Sequence, residues 1–275
     1  MKFVRSEKNK RRVCGILGIN RSMVYYERKT PEQDLMEEKV VEIFKEHNGN
    51  YGAPRIKVVL AARGEIISKR RIGKLLKKHG LESKHGRKKL AKNIYTSTDD
   101  RYIAENLIKG ETSAASDQIC QMDVSQFKCS EGKLFVNGII DIYDKTVVAN
   151  YGRQENKTLI SETIKEKLKT GKPATLHMDR GSSNISLKIK ELLESNEIKR
   201  SMSAPHSPHE NQYIETFWKT AKTEIGDTRK LCRTELEMVL DYYIHYYNTE
   251  RIHSSIGYLT PAQMRRVSQG YPRET

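Results

Sequence analysis

Four side chains in this 275-residue sequence have the types and spacing that phosphodiester chemistry needs: Asp123 in QICQMDVSQF, Asp179 in LHMDRG, and Glu215 with Lys222 in NQYIETFWKTAKTE. Lys222 follows Glu215 by seven positions, two turns of helix on the same face. Three carboxylates gathered in one cleft repel one another and are costly to hold ionised without positive charge among them. Hard oxygen ligands select Mg2+ or Mn2+ over zinc, and two such ions can assist both the attacking and the leaving oxygen of an in-line displacement. Taken singly, each acid is one of 35 and reads as an ordinary surface group. Their setting raises them above that.

Asp123 stands in an alternating segment, with Cys120, Met122 and Val124 on one face and Gln121, Asp123 and Ser125 on the other, the pattern of a half-buried strand. KLFVNGIIDIYD reads as the neighbouring strand and KTVVANYG as a third, with Asp144 and Lys145 at the turn between them. NKTLISETIKEKLKTG places Leu159, Ile160, Ile164 and Leu168 at helical spacing and stops at Gly171 and Pro173. ATLHMD is a short strand that delivers Asp179 at its carboxyl end, where α/β sheets present their chemistry. Glu215 falls on a helix beginning near Pro208. Strand, hairpin, helix, strand, helix is the order of a ribonuclease-H-like α/β core, in which acids from two strands meet one from a helix.

Charge is concentrated ahead of that core. Residues 1–100 carry 25 Lys and Arg against 12 Asp and Glu, so most of the formal net charge of +15 lies there. Between Arg55 and Lys92 fourteen basic residues face only Glu65 and Glu82, a density that predicts salt-dependent binding to duplex DNA where it is not simply a solvated face. YGAPRIKVVLAARG puts Ile56, Val59 and Leu60 on one stripe and ends at Gly64; Ser68 then caps KRRIGKLLKKHG, which closes at Gly80. Two short helices about a tight turn make a helix-turn-helix. Its second helix would enter the major groove, with Arg70, Arg71 and Lys74 outward and Ile72, Leu75 and Leu76 inward. RRVCGILGINRSMVYYERK repeats the pattern in shorter form. Four regions follow: a short helical segment over 1–30, a basic helix-turn-helix domain over 31–92, a polar linker over 93–115, in which RYIAENLIKG is compatible with a short helix, and a catalytic core with carboxyl-terminal helices over 116–268.

From about Ser116 to Arg265 the chain resembles the catalytic core of the DDE transposases and retroviral integrases, and most closely the orfB product of the bacterial insertion-sequence-three family. HMDRGSSN, SMSAPHSPHENQYIETFWKTAKTE and YYIHYYNTERIHSSIGYLTPAQM carry the likeness in the right order. It departs at Cys120, where the family usually has tryptophan, and at Asn184, where a tyrosine is common. The resemblance implies a mixed five-stranded sheet with flanking helices, and an all-α helix-turn-helix DNA-binding region ahead of it. It also implies Asp123, Asp179 and Glu215 as catalytic triad and ligands of two Mg2+ or Mn2+ ions, with Lys222 touching the element's terminal DNA. The activity it implies is metal-dependent cleavage of double-stranded DNA at insertion-sequence ends followed by strand transfer to a target. An upstream orfA product, as frameshift fusion or partner, and a homo-multimer on DNA come with it. A structure-selective nuclease and a catalytically weak DNA-binding regulator are the alternatives.

Asn211, one turn before Glu215, is a further DNA-contact candidate. His206 and His209, in the loop before it, either approach DNA or are ordinary loop polars. His177, two residues before Asp179 on the same strand face, could stand near the metals. Asn248, Arg251 and His253 read as a packing lock for the last helices, and Tyr242, Tyr243, Tyr246 and Tyr247 as helix packing. Cys14, Cys120, Cys129 and Cys232 form no C-x-x-C pair, which argues against zinc and against a disulfide framework. No run approaches the roughly 18 apolar residues of a membrane span, so a cytoplasmic, nucleoid-associated protein is expected.

Overall fold

A computed structural model of the chain describes residues 31–85, 103–204 and 208–272. The helical segment expected over 1–30 and the candidate His206 lie outside the described residues. Among the described residues the amino-terminal unit has three helices: α1 (Pro31–Glu46), α2 (Ala53–Ala62) and α3 (Lys69–Lys78). The sequence pattern identified α2 and α3 but not α1, whose Val40, Ile43 and Phe44 complete the core under Ile56, Leu60 and Ile72. Ser68 caps α3 as its type predicts, its hydroxyl accepting from the Arg71 N–H at 3.2 Å. Gly64 and Gly80 close the two helices at φ +79° and +64°, a backbone region that favours glycine.

The second unit is a five-stranded sheet whose strands lie in the order Val147–Gly152, Gly132–Asp141, Ile119–Cys129, Thr175–Met178, Lys199–Met202. Strands β1 (Ile119–Cys129), β2 (Gly132–Asp141) and β3 (Val147–Gly152) form an antiparallel meander. Helix α4 (Lys157–Thr170) crosses to β4 (Thr175–Met178), which pairs parallel with β1. Helix α5 (Leu187–Ser195) then leads to β5 (Lys199–Met202) at the edge. Sequence periodicity assigned no element between Asp179 and Pro208, because nine helical and four extended residues are too few to show a period. A 3-10 turn, Pro208–Asn211, opens α6 (Gln212–Ile225), and α7 (Arg233–Thr249) and α8 (Pro261–Ser268) follow.

Both sheet faces are covered. Ile160, Ile164, Ile189 and Leu193 from α4 and α5 pack on Met122, Ile139 and Met178. Phe217, Trp218, Leu236 and Leu240 from α6 and α7 pack on Phe127, Leu134 and Val136 of the opposite face. The half-buried reading of β1 is therefore corrected: Gln121 and Ser125, on its polar face, are buried beneath α6. The short helix allowed for RYIAENLIKG is also absent over 103–110. Glu105 O accepts from Met202 N at 3.2 Å and Leu107 N donates to Ser201 Oγ at 2.9 Å, so the segment lies along β5. An edge strand leaves backbone groups unpaired, and this stretch supplies partners for them. At the other edge the Asn248 amide bonds both Val147 N and Val147 O, at 2.9 and 2.8 Å. No helix among the described residues is long and apolar enough to cross a membrane.

Candidate active site

Met122 on β1 and Met178 on β4 are register partners, and the residues that follow them are Asp123 and Asp179, which are near enough for the charge of Asp179 to act on Asp123. Gln121 seats that helix. Its amide donates to Glu210 O at 2.8 Å and accepts from Tyr213 N at 2.9 Å, satisfying one of the free N–H groups at the helix start. Asn211 Nδ2 adds a bond to Met122 O at 3.1 Å. These ties fix the start of α6, and Glu215 in its first turn is near enough to exchange charge effects with Asp123 and Asp179.

The electrostatics report the gathering. Burial pushes the Asp123 carboxyl up to about 8, and the charges of Asp179, Glu215 and Glu155 push in the same direction. Glu215 is raised by desolvation and by Asp179. Glu155, just ahead of α4, is raised for the same two reasons and is a fourth carboxylate of the cleft that the sequence pattern did not single out. Desolvation lowers the Lys222 ammonium while Asp123 raises it; its Nζ sits 5.4 Å from the Phe127 ring centroid. Asp123 and Asp179 are part-buried, and Glu215 and Lys222 are exposed, so the cleft opens to solvent.

Asp179 is oriented by two donors to its Oδ1: Gly181 N at 2.9 Å and Asn184 Nδ2 at 2.7 Å. Asn184, a departure from the family pattern, is thus a support of the site. A Cβ on Gly181 would meet Asp179 Oδ1 at 3.0 Å, which keeps that position free of a side chain. Two other candidates point elsewhere. Asn211, the DNA-contact candidate on the Glu215 helix, is 4% exposed, with its Nδ2 on Met122 O of β1 and its Oδ1 buried without a hydrogen-bond partner. His177 is fully buried between Ser201 and Ser203, its ring nitrogens 2.8 and 2.9 Å from their hydroxyls, and burial lowers it to about 4. It ties β4 to β5 as a neutral ring.

Another group has potential ligand atoms within 4.8 Å of one another: Asp117, Cys120 and Asp141. Protein cations already serve it. Asp117 pairs with Lys167 and Arg265, Arg265 also reaches Asp144 at 3.0 Å, and burial raises the Cys120 thiol well above its ordinary value. This is an ion network behind the start of β1.

On the amino-terminal unit Arg70, Arg71 and Lys74 are exposed along α3, while Lys78 and His79 are held by Glu37 of α1. That unit is fastened to the core. Tyr51 OH accepts from Ile252 N at 3.0 Å and Arg55 Nε donates to Ile252 O at 3.1 Å. Lys84 Nζ donates to Glu224 O at 2.8 Å, and His85 meets the Glu224 carboxylate, which Arg251 also holds. The Asn248, Arg251 and His253 motif is thus a lock, as its pattern indicates, and its reach extends to the helical unit. Tyr243, Tyr246 and Tyr247 are buried in packing; Tyr242 is exposed.

Comparison with known proteins places this geometry among relatives. An HTH-like domain family matches residues 31–89, and two Integrase core domain families match residues 113–208 and 196–261. The chain is 30% identical over 246 residues to a transposase for insertion sequence element IS904 of Lactococcus lactis, covering 86% of this chain and 96% of that one. It is 26% identical over 259 residues to a putative transposase InsK for insertion sequence element IS150 of Escherichia coli, covering 90% of each. Among solved structures, the HTLV-2 integrase catalytic core domain in complex with magnesium aligns at TM-score 0.44 and 18% identity, over 56% of this chain and 98% of that one. The BIV integrase catalytic core domain aligns at TM-score 0.47 and 19% identity, over 56% and 97%.

Proposed function

The chain belongs to the IS3 family of insertion-sequence transposases, with an HTH-like domain and an integrase core, and from that premise we propose that it cuts DNA at insertion-sequence ends and transfers the freed strand to a target. The observation that carries the reading is the Asp123 carboxyl, pushed up to about 8 by burial and by Asp179 and Glu215. At neutral pH such a group favours its protonated form unless a cation offsets the neighbouring charges, and three oxygen donors fit hard divalent ions.

Asp123, Asp179 and Glu215 would hold two Mg2+ or Mn2+ ions. When bound, the pair supplies Lewis-acid activation of the attacking oxygen and charge neutralisation at the leaving one. Asp123 lies within β1 and Asp179 directly follows the paired strand β4, and Asn184 with Gly181 holds the Asp179 carboxylate. Lys222, exposed and seven residues beyond Glu215, binds a phosphate of the terminal DNA. Arg70, Arg71 and Lys74 anchor the duplex through α3. Synapsis of two ends calls for a homo-multimer, and an orfA product completes end recognition in the nucleoid of a bacterial cytoplasm.

The test is incubation of purified protein, with and without the orfA product, with labelled element-end DNA and Mg2+. Cleavage and joining should both appear and both vanish in Asp123→Ala, Asp179→Ala and Glu215→Ala while DNA binding persists. Cutting without joining would make the chain a nuclease. Binding alone would make it a regulator.

A further inference from the structure

Gly138 on β2 is the register partner of Asp123. Its φ is not positive, so the backbone does not demand glycine there. Space does. A Cβ at Gly138 would lie 2.6 Å from Trp218 Cζ2 and 2.9 Å from Cη2, inside any contact real side chains make, and 3.5 Å from Ile214 Cδ1. Trp218 sits on α6 between Glu215 and Lys222, three residues after one and four before the other, so the three share a helix face.

The indole is 4% exposed and wedged against Phe127 and Phe217, with ring centroids 6.3 and 4.7 Å away. Its Nε1 is buried without a hydrogen-bond partner, so packing alone sets its position. Both ends of α6 are tethered by polar bonds: the start by Gln121 and Asn211 to β1, the end by Glu224 to Arg251. Between those tethers Ile214, Phe217, Trp218 and Ala221 pack the helix on the sheet, and Trp218 is the one whose ring lies against Gly138, at the register level of Asp123.

We infer that the Gly138–Trp218 contact sets how closely Glu215 and Lys222 approach Asp123, which makes both members of the contact positioning residues of the active site. The inference rests on the strand-transfer reading of that site. A methyl group on Gly138 must push the ring outward and lift the middle of α6, and a displacement of 1 Å can cost about a hundredfold in rate. Mg2+ demands near-ideal octahedral geometry, so the displaced site should lose more activity with Mg2+ than with Mn2+.

The experiment uses the full chain with Gly138→Ala, Trp218→Phe and the double variant. Gly138→Ala should fold, still bind DNA through the cations of α3, and cleave element ends about 10 to 100 times more slowly with Mg2+, with a smaller loss in Mn2+. Phenylalanine lacks the two ring atoms nearest the added methyl, so the double variant should recover most of the rate. Trp218 is the chain's single tryptophan, so its emission reads the contact without any activity: the maximum should move in Gly138→Ala. Should Gly138→Ala not fold, the double variant must fold and cleave. Wild-type rate in folded Gly138→Ala, an unchanged emission maximum, or a double variant no better than the single one would overturn the inference. An inactive wild type would instead sink the strand-transfer reading, leaving the emission and the folding of the double variant to decide the contact.

Discussion

Arg251, in the carboxyl-terminal motif, grips Glu224 at the far end of the helix that carries Glu215, Nη2 to Oε1 at 2.7 Å, with side chains 4% and 0% exposed. Tyr243 donates to the other carboxylate oxygen at 3.0 Å, and His85 approaches from the helical unit. One buried anion therefore joins the active-site helix, the closing helices and the amino-terminal unit.

Removing one partner strands the other as a buried unpaired charge, which costs about 3–5 kcal/mol. Arg251→Ala and Glu224→Ala should each lower unfolding stability by that order in urea titrations. The double variant should lose less than the two losses added together. Additive losses would show that the pair is not coupled.

The same carboxylate predicts an acid limb. Burial opposes its charge, but hydrogen bonds from His85 and Arg251 outweigh burial and hold Glu224 at about 2. A carboxyl depressed in the folded state contributes stability that is fully present above its unfolded pKa of about 4.3 and is lost as pH falls through the folded value. The contribution is on the order of 3 kcal/mol. The stability gap between wild type and Glu224→Gln should narrow from pH 5 toward pH 2, and a gap independent of pH would contradict the assignment.

Repulsion among Asp123, Asp179 and Glu215 should make divalent cations stabilising ligands. At a hundredfold excess over Kd a single bound ion adds about 2.7 kcal/mol. Differential scanning with Mg2+ or Mn2+ should show a rise in Tm for wild type that is lost in Asp123→Asn and Asp179→Asn. A rise that persists in both would move the ions elsewhere.

Asn184→Ala removes the 2.7 Å donor to Asp179 while leaving the carboxylate in place. Groups that orient metal ligands typically change activity by about 10–100-fold. The loss should fall on the cleavage rate, with affinity for end DNA unchanged.

DNA affinity measured against salt separates the cations of α3 with no ion pair among the described residues from the tied one. Arg70→Ala, Arg71→Ala and Lys74→Ala should each reduce the log-log slope by roughly 0.9. Lys78→Ala should change it less, because Glu37 already holds that ammonium at 2.7 Å.

The sequence alone determined what local rules govern: the alternation of β1, the Ser68 cap, the glycine stops of α2 and α3, and the order of the three acids along the chain. It also fixed which of those acids leave strands and which a helix. Tertiary structure decided which face another element covers, since burial is a property of two surfaces and only one is written locally. That is why Gln121, Asn211 and His177, polar residues beside the acids, turned out to be buried ties, and why Asn184 became a support for Asp179. It is also why Gly138 carries meaning only beneath Trp218, eighty positions away in sequence, whose ring on α6 occupies the space a side chain there would need.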